Sequence, residues 1–136
     1  MAARCEAAGR HHNEDNYQIS EDIASQKWGF TADRQVNLGE KGALMVVCDG
    51  MGGMNAGEVA SDIAVKVVKE CFSNEKLTND IISSPISIKQ FVKDTIQRAD
   101  AAIKEQGCSN PEYEGMGSTI VMAWLLGNKV YIGWCG

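Results

Sequence analysis

Acidic residues set beside glycines are the feature of this sequence best suited to chemistry. In "VVCDGMGGMNAGEVAS" (46–61) an apolar run ends in Asp49, glycines follow at 50, 52 and 53, and the pattern then turns helical. A second acidic group, Asn13-Glu14-Asp15, lies upstream. A carboxylate at a strand end beside flexible glycine can ligate a cation, and a tight turn lets a backbone carbonyl join it. Hard cations such as Mg²⁺ and Mn²⁺ take oxygen ligands of this kind, with waters completing the shell. Spacing alone is equally consistent with Asp49-Gly50 as a plain turn and Glu14-Asp15 as a solvated loop.

Other chemistries fit less well. "GMGGMNA" follows a strand and opens a helix, as a dinucleotide-binding turn would. But Asp49 stands directly before the first glycine, where it would repel a pyrophosphate, and no second parallel strand follows the helix. There is no G-x-x-x-x-G-K-[ST], so a P-loop is excluded. Arg10, four residues before Glu14, has the planar guanidinium that grips two phosphate oxygens at once, or it is a surface arginine. His11 and His12 are neighbours, so in an extended chain only one of them faces a common site. Ser118 follows Gly117, but "GMGST" lacks the G-x-S-x-G elbow of a serine nucleophile.

The totals narrow the field. With 136 residues, 44% hydrophobic and 23% charged, the chain has the balance of one soluble domain with a real core. A net charge of −5 argues against nucleic acid as a partner, because phosphate backbones call for a basic face. No stretch approaches the ~18–20 apolar residues that span a bilayer, and the first residues lack the apolar core of a signal peptide. Five cysteines, an odd number with no C-x-x-C pair, read as free thiols in a reducing cytoplasm.

Elements must position these residues. "NYQIS" (16–20) is a short strand, and "ALMVVC" (43–48) is a buried strand ending at an Asp49-Gly50 turn. Val59, Ile63, Val67 and Cys71 recur every four residues, flanked by Ala60, Ala64, Val68 and Phe72, and so predict a helix. Asn55 with Glu58 resembles a capping box at its start. Residues 73–86 read as a loop. A second helix is predicted from Ser87, with Gln90 as the partner of a capping box. Its stripe is Ile88, Phe91, Val92, Thr95, Ile96, Ala99 and Ile103, and Gly107 is its stop. Gly127-Asn128 suits a two-residue hairpin turn. Thr119 to Leu126 is apolar at nearly every position, so both faces of that strand should be covered. Trp28, Trp124 and Trp134 read as core or sheet residues. Lys129 to Gly136 reads as an edge strand with no cap after it, which offers a route to self-association. Helices on a largely antiparallel sheet make the class α+β.

Three blocks together resemble one family, the metal-dependent Ser/Thr protein phosphatases of the 2C (PPM) class: "RHHNEDN" (10–16), "VVCDGMGGMNAGEVAS" (46–61) and "GMGSTIVMAWLLGNKVYIGWCG" (115–136). The "DGMGG" spelling is similar to the bacterial branch. The resemblance implies an α-β-β-α sandwich of two antiparallel sheets with flanking helices. It also implies a site for two Mg²⁺ or Mn²⁺ ions and hydrolysis of phosphoserine and phosphothreonine in proteins by a metal-activated water. By position, Asp49 would bridge the ions and the Gly50 carbonyl would ligate one. Glu14 and Asp15 would hold metal-bound waters, and Arg10 would bind the substrate phosphate. The glycines after Asp49 would then let the chain turn around cations, with phosphate arriving on the metals.

The departures shape the expectation. In that family the strand matching Lys129–Gly136 runs on into Asp-Ser-Arg, and further aspartates complete the metal site. Some members carry His in the place of Met51, where it is given a proton-donating role. Residues 1–136 are therefore expected to be the N-terminal portion of one phosphatase domain, cytoplasmic, weakly active or inactive alone, acting on phosphorylated proteins and binding neither nucleic acid nor membrane. The alternatives are a non-catalytic module that binds phosphoproteins or partners, and a truncated gene product.

Overall fold

In the computed structural model, residues 6, 12–31, 35–53 and 55–136 are described. Five strands form one antiparallel sheet. β1 (Asp15–Ser20) pairs with β2 (Ala43–Met51), β2 with β4 (Ile120–Leu126), and β4 with β5 (Lys129–Cys135), while the two-residue β3 (Gly117–Ser118) extends the pairing along β2. Helices α1 (Ala56–Cys71) and α3 (Pro85–Ser109), with the short α2 (Asn79–Ile82) between them, pack on one face. The class is α+β, as expected.

Alternation along the strands decides which side chains meet the helices. Leu44, Val46 and Cys48 of β2 and Ile120, Met122 and Trp124 of β4 are buried on the helix side. They meet Ala60, Ala64 and Val68 of α1 and Ile88, Val92, Ala99 and Ile103 of α3. At the centre the Trp124 ring lies edge-on to Phe72, with centroids 5.0 Å apart, and Phe91 lies 5.1 Å from Phe72. The Trp124 indole N–H donates to the Lys41 carbonyl at 2.9 Å, so the largest core side chain has its polar atom satisfied. Burial around Cys48 pushes its thiol up to about 12. Cys48, Cys71, Cys108 and Cys135 are free thiols, and Cys5 lies outside the described residues.

The other face of the sheet is buried at one end, at Ile19 and Ala43, and open among the described residues towards β5, where it is largely apolar. Val47, Val121, Ile132 and Trp134 stand there in adjoining rows, and Trp134 is 69% exposed. Among the described residues β4 is therefore covered on the helix side and only in part, at Ala123 and Leu125, on the other, and Trp134 is a sheet residue outside the core.

Some local signals match the structure, and others are shifted or overridden by pairing and packing. Gly127, at φ +58°, opens a two-residue turn between Leu126 and Lys129, as anticipated. β2 does not end before Asp49; it continues to Met51 because β1 and β3 pair with it there. Residues 79–82, within the anticipated loop, form α2. α3 begins at Pro85, two residues earlier than Ser87, because Ser84 is its cap and its hydroxyl accepts from the Ser87 N–H at 3.2 Å. Proline at the first helical position suits that start, since its missing N–H would have had no partner. Gly107 lies inside the helix, which runs to Ser109 and stops ahead of Pro111. Asn55 occupies the cap position of α1 but its side chain makes no capping bond. Ser84→Ala is accordingly expected to cost about 1 kcal/mol of stability and Asn55→Ala only a few tenths, a contrast that urea denaturation resolves.

Candidate functional site

Asp49 and Asp15 are directly opposite each other across the β1–β2 ladder. Opposed residues of an antiparallel pair project from the same face, with Cβ atoms ~4.5–5.5 Å apart. Both aspartates are exposed, on the sheet face away from the helices. Two like charges placed this way are destabilising by themselves, and a cation between them would reverse the sign. The donors are carboxylate oxygens, the type that Mg²⁺ and Mn²⁺ take. Among the described residues no group of three or more His, Cys, Asp and Glu converges, so the pair by itself would offer a cation only part of a coordination shell. These residues fit a hard divalent ion on that basis.

Glu14 takes a different position. Its backbone carbonyl accepts from the Gly50 N–H at 3.1 Å, and its carboxylate lies against Gly57 in the first turn of α1. A Cβ added to Gly57 would fall 2.6 Å from Glu14 Oε1. A carboxylate at a helix N-terminus is favoured by the helix dipole and the unpaired N–H groups there. Glu14 and Asp15 thus flank Gly50 from opposite sides of the sheet rather than forming one acidic cluster. The Asn13 side-chain oxygen accepts from the Asp15 N–H at 3.1 Å and steadies the entry into β1.

Gly50 is buried where β2 meets α1. A Cβ there would lie 1.9 Å from the Gly57 carbonyl oxygen and 2.9 Å from the Glu14 carbonyl oxygen, so only glycine fits. Met51, next along β2, is 55% exposed. Arg10 and His11 lie outside the described residues, while His12 is exposed.

Asp49 is also held from its other side, by Ser118 and Thr119, for which the sequence suggests no role at this site. Thr119 donates its N–H to the Asp49 carbonyl at 2.8 Å. Its hydroxyl accepts from the Asp49 N–H at 3.2 Å. The Ser118 hydroxyl lies 3.1 Å from the Asp49 carbonyl oxygen and 2.9 Å from that of Thr119. The available signal was a polar Ser-Thr pair at the mouth of an apolar strand.

The sequence profile of the protein phosphatase 2C family matches residues 12–136. The chain is 31% identical over 123 residues to the serine/threonine phosphatase stp of Listeria monocytogenes, covering 90% of this chain and 41% of that protein. It therefore spans about two fifths of the length of the curated relatives it matches. Among solved structures, an Arg-to-Glu variant of a bacterial serine phosphatase superposes with a TM-score of 0.71 at 26% identity, over 99% of this chain and 55% of that one. The serine/threonine phosphatase Stp1 of Staphylococcus aureus gives 0.65 at 29% identity, over 90% of this chain and 40% of its own.

Proposed function

The chain belongs to the protein phosphatase 2C family, and from that premise we propose that it is the N-terminal, metal-ligating part of a domain that hydrolyses phosphoserine and phosphothreonine in proteins. The observation that carries this reading is the placement of Asp15 and Asp49 opposite each other on the open face of the sheet. Asp49 would ligate both Mg²⁺ or Mn²⁺ ions of the complete site, and the Gly50 carbonyl one of them. Asp15 and Glu14, on either side of Gly50, would hold coordinated waters. Bound ions of this kind lower the pKa of a coordinated water and offset charge on the phosphoryl oxygens during in-line attack.

The chain's own side chains do the remaining work. Arg10 would orient the substrate phosphate through its guanidinium fork. No protein nucleophile is needed, and the Ser118 hydroxyl faces backbone carbonyls rather than an activating base. Met51 carries no proton to donate, so the proton for the leaving serine or threonine oxygen would come from water or another group. The proposed substrates are phosphorylated proteins of the cytoplasm. No helix among the described residues is long and apolar enough to cross a membrane.

Two carboxylates are few for such an ion. Mn²⁺ should bind this 136-residue chain weakly, with a dissociation constant on the order of the 10⁻⁴–10⁻³ M found at the weak end of oxygen-liganded Ca²⁺ sites. Turnover of a phosphothreonine peptide should stay near the EDTA control. Paramagnetic broadening of the Asp15 and Asp49 amide resonances checks the first expectation, and its absence at both would sink the metal assignment. Turnover far above the control, dependent on Mn²⁺, would instead show that these ligands suffice without others.

A further inference from the structure

Asp49 sits in β2 between two neighbours, and the β3–β4 side holds it by an irregular set of bonds. In a regular antiparallel ladder, a hydrogen-bonded pair exchanges two backbone N–H···O bonds. Thr119 is the residue facing Asp49, and one of the two bonds is present, from the Thr119 N–H to the Asp49 carbonyl. The return bond is not backbone to backbone. The Asp49 N–H donates to the Thr119 hydroxyl instead, and the Ser118 hydroxyl stands within reach of both the Asp49 and Thr119 carbonyls. The register is the same on both sides of this point, with Val47 facing Val121 and Gly50 facing Ser118. The strand register therefore does not by itself account for the exchange.

We propose that Ser118 and Thr119 are positioning residues for Asp49, setting the peptide planes on either side of its Cα and hence the direction in which its carboxylate meets a divalent cation. This rests on the metal reading of the site. A Thr119 hydroxyl in place of a carbonyl fixes the Asp49 N–H in an orientation that a regular ladder would not impose. Valine keeps the shape and strand preference of threonine but offers no acceptor. The Asp49 N–H must then turn to the Thr119 carbonyl or go unpaired, and either change moves the carboxylate. If Thr119 served only as a β-branched strand residue, valine would do as well or better.

The test compares Mn²⁺ binding by the full chain in wild type, Thr119→Val, Thr119→Ser and Ser118→Ala, read from broadening of the Asp15 and Asp49 amides, with urea denaturation in parallel. Groups that orient a metal ligand typically change affinity 10- to 100-fold. The expected result is a loss of about tenfold or more in Thr119→Val, near wild-type binding in Thr119→Ser, and an intermediate loss in Ser118→Ala, with Thr119→Ser no less stable than Thr119→Val. Should Thr119→Val fail to fold, Ser118→Ala against wild type decides the matter by the same criterion. Equal binding by wild type, Thr119→Val and Ser118→Ala would overturn the positioning role while leaving the metal site intact. No binding by wild type would overturn the metal site and the positioning role with it.

Discussion

Asp49→Asn is expected to weaken Mn²⁺ binding about a hundredfold or more while leaving the metal-free chain as stable as wild type or slightly more so. The two effects have one origin. Asp49 faces Asp15 across the β1–β2 ladder on the open side of the sheet. Opposed like charges on neighbouring strands cost roughly 0.2–1 kcal/mol, which the neutral amide removes. A cation at the same place gains from both charges. At contact distance and an effective dielectric near 20, a unit charge interacts with a monovalent partner by about 4 kcal/mol, and with a divalent one by more, before desolvation is subtracted. A net loss of ~3 kcal/mol corresponds to the hundredfold change.

The opposite signs make the experiment decisive. If Asp49-Gly50 were only a strand end, asparagine would change neither metal affinity nor broadening at Asp15, and only the small stability gain would remain. A variant that loses binding because it unfolds would lose stability too. Titration with Mn²⁺ and urea denaturation of the same sample separate these outcomes, and an unchanged Mn²⁺ affinity would rule out Asp49 as a ligand.

Residue type alone suggests where a candidate cation site lies, whereas the geometry of that candidate depends on contacts distant in sequence. Carboxylates at 14, 15 and 49 beside a glycine turn pointed to a hard cation because their chemistry is local. Which two of them meet is a matter of strand register. Asp15 and Glu14 are adjacent in sequence, yet alternation sends one to the open face with Asp49 and the other to α1. The continuation of β2 through Asp49 and Gly50 was hidden for the same reason, since its support comes from Ser118 and Thr119 some 70 residues away. In α3 the difficulty was competition between local signals. Ser87 with Gln90 matched a capping box, but Ser84 followed by Pro85 supplied the bond that starts the helix. The apolar stripe of α3 is legible in the sequence because packing on a sheet repeats one signal over several turns. Arg10 lies outside the described residues.

Gly50→Ala should be the most damaging small substitution near the site, costing about 3 kcal/mol or more of stability and abolishing Mn²⁺-dependent broadening at Asp15 and Asp49. The added methyl would fall 1.9 Å from the Gly57 carbonyl oxygen, a backbone atom in the first turn of α1, and 2.9 Å from the Glu14 carbonyl oxygen in the approach to β1. No rotamer change relieves a clash with backbone on both sides; either α1 lifts from the sheet or β2 bends away from β1. Lifting α1 exposes the buried Ala56 and Ala60, and bending β2 separates Asp49 from Asp15. Gly57→Ala is the matched control. Its methyl meets the Glu14 carboxylate at 2.6 Å, a side-chain end rather than backbone, and the Gly50 carbonyl carbon at 3.1 Å, which has to give by only a few tenths of an ångström. Alanine also favours the helix over glycine by roughly 0.5–1 kcal/mol. That variant should therefore keep its stability within about 1 kcal/mol of wild type, and it should shift the Glu14 resonances without removing the broadening at Asp49. If Gly50→Ala were as mild as Gly57→Ala, the close seating of α1 on β2 would not be what holds Asp49 and Asp15 in place. If the contrast holds, one glycine contact sets both the packing of α1 and the geometry of the carboxylate pair.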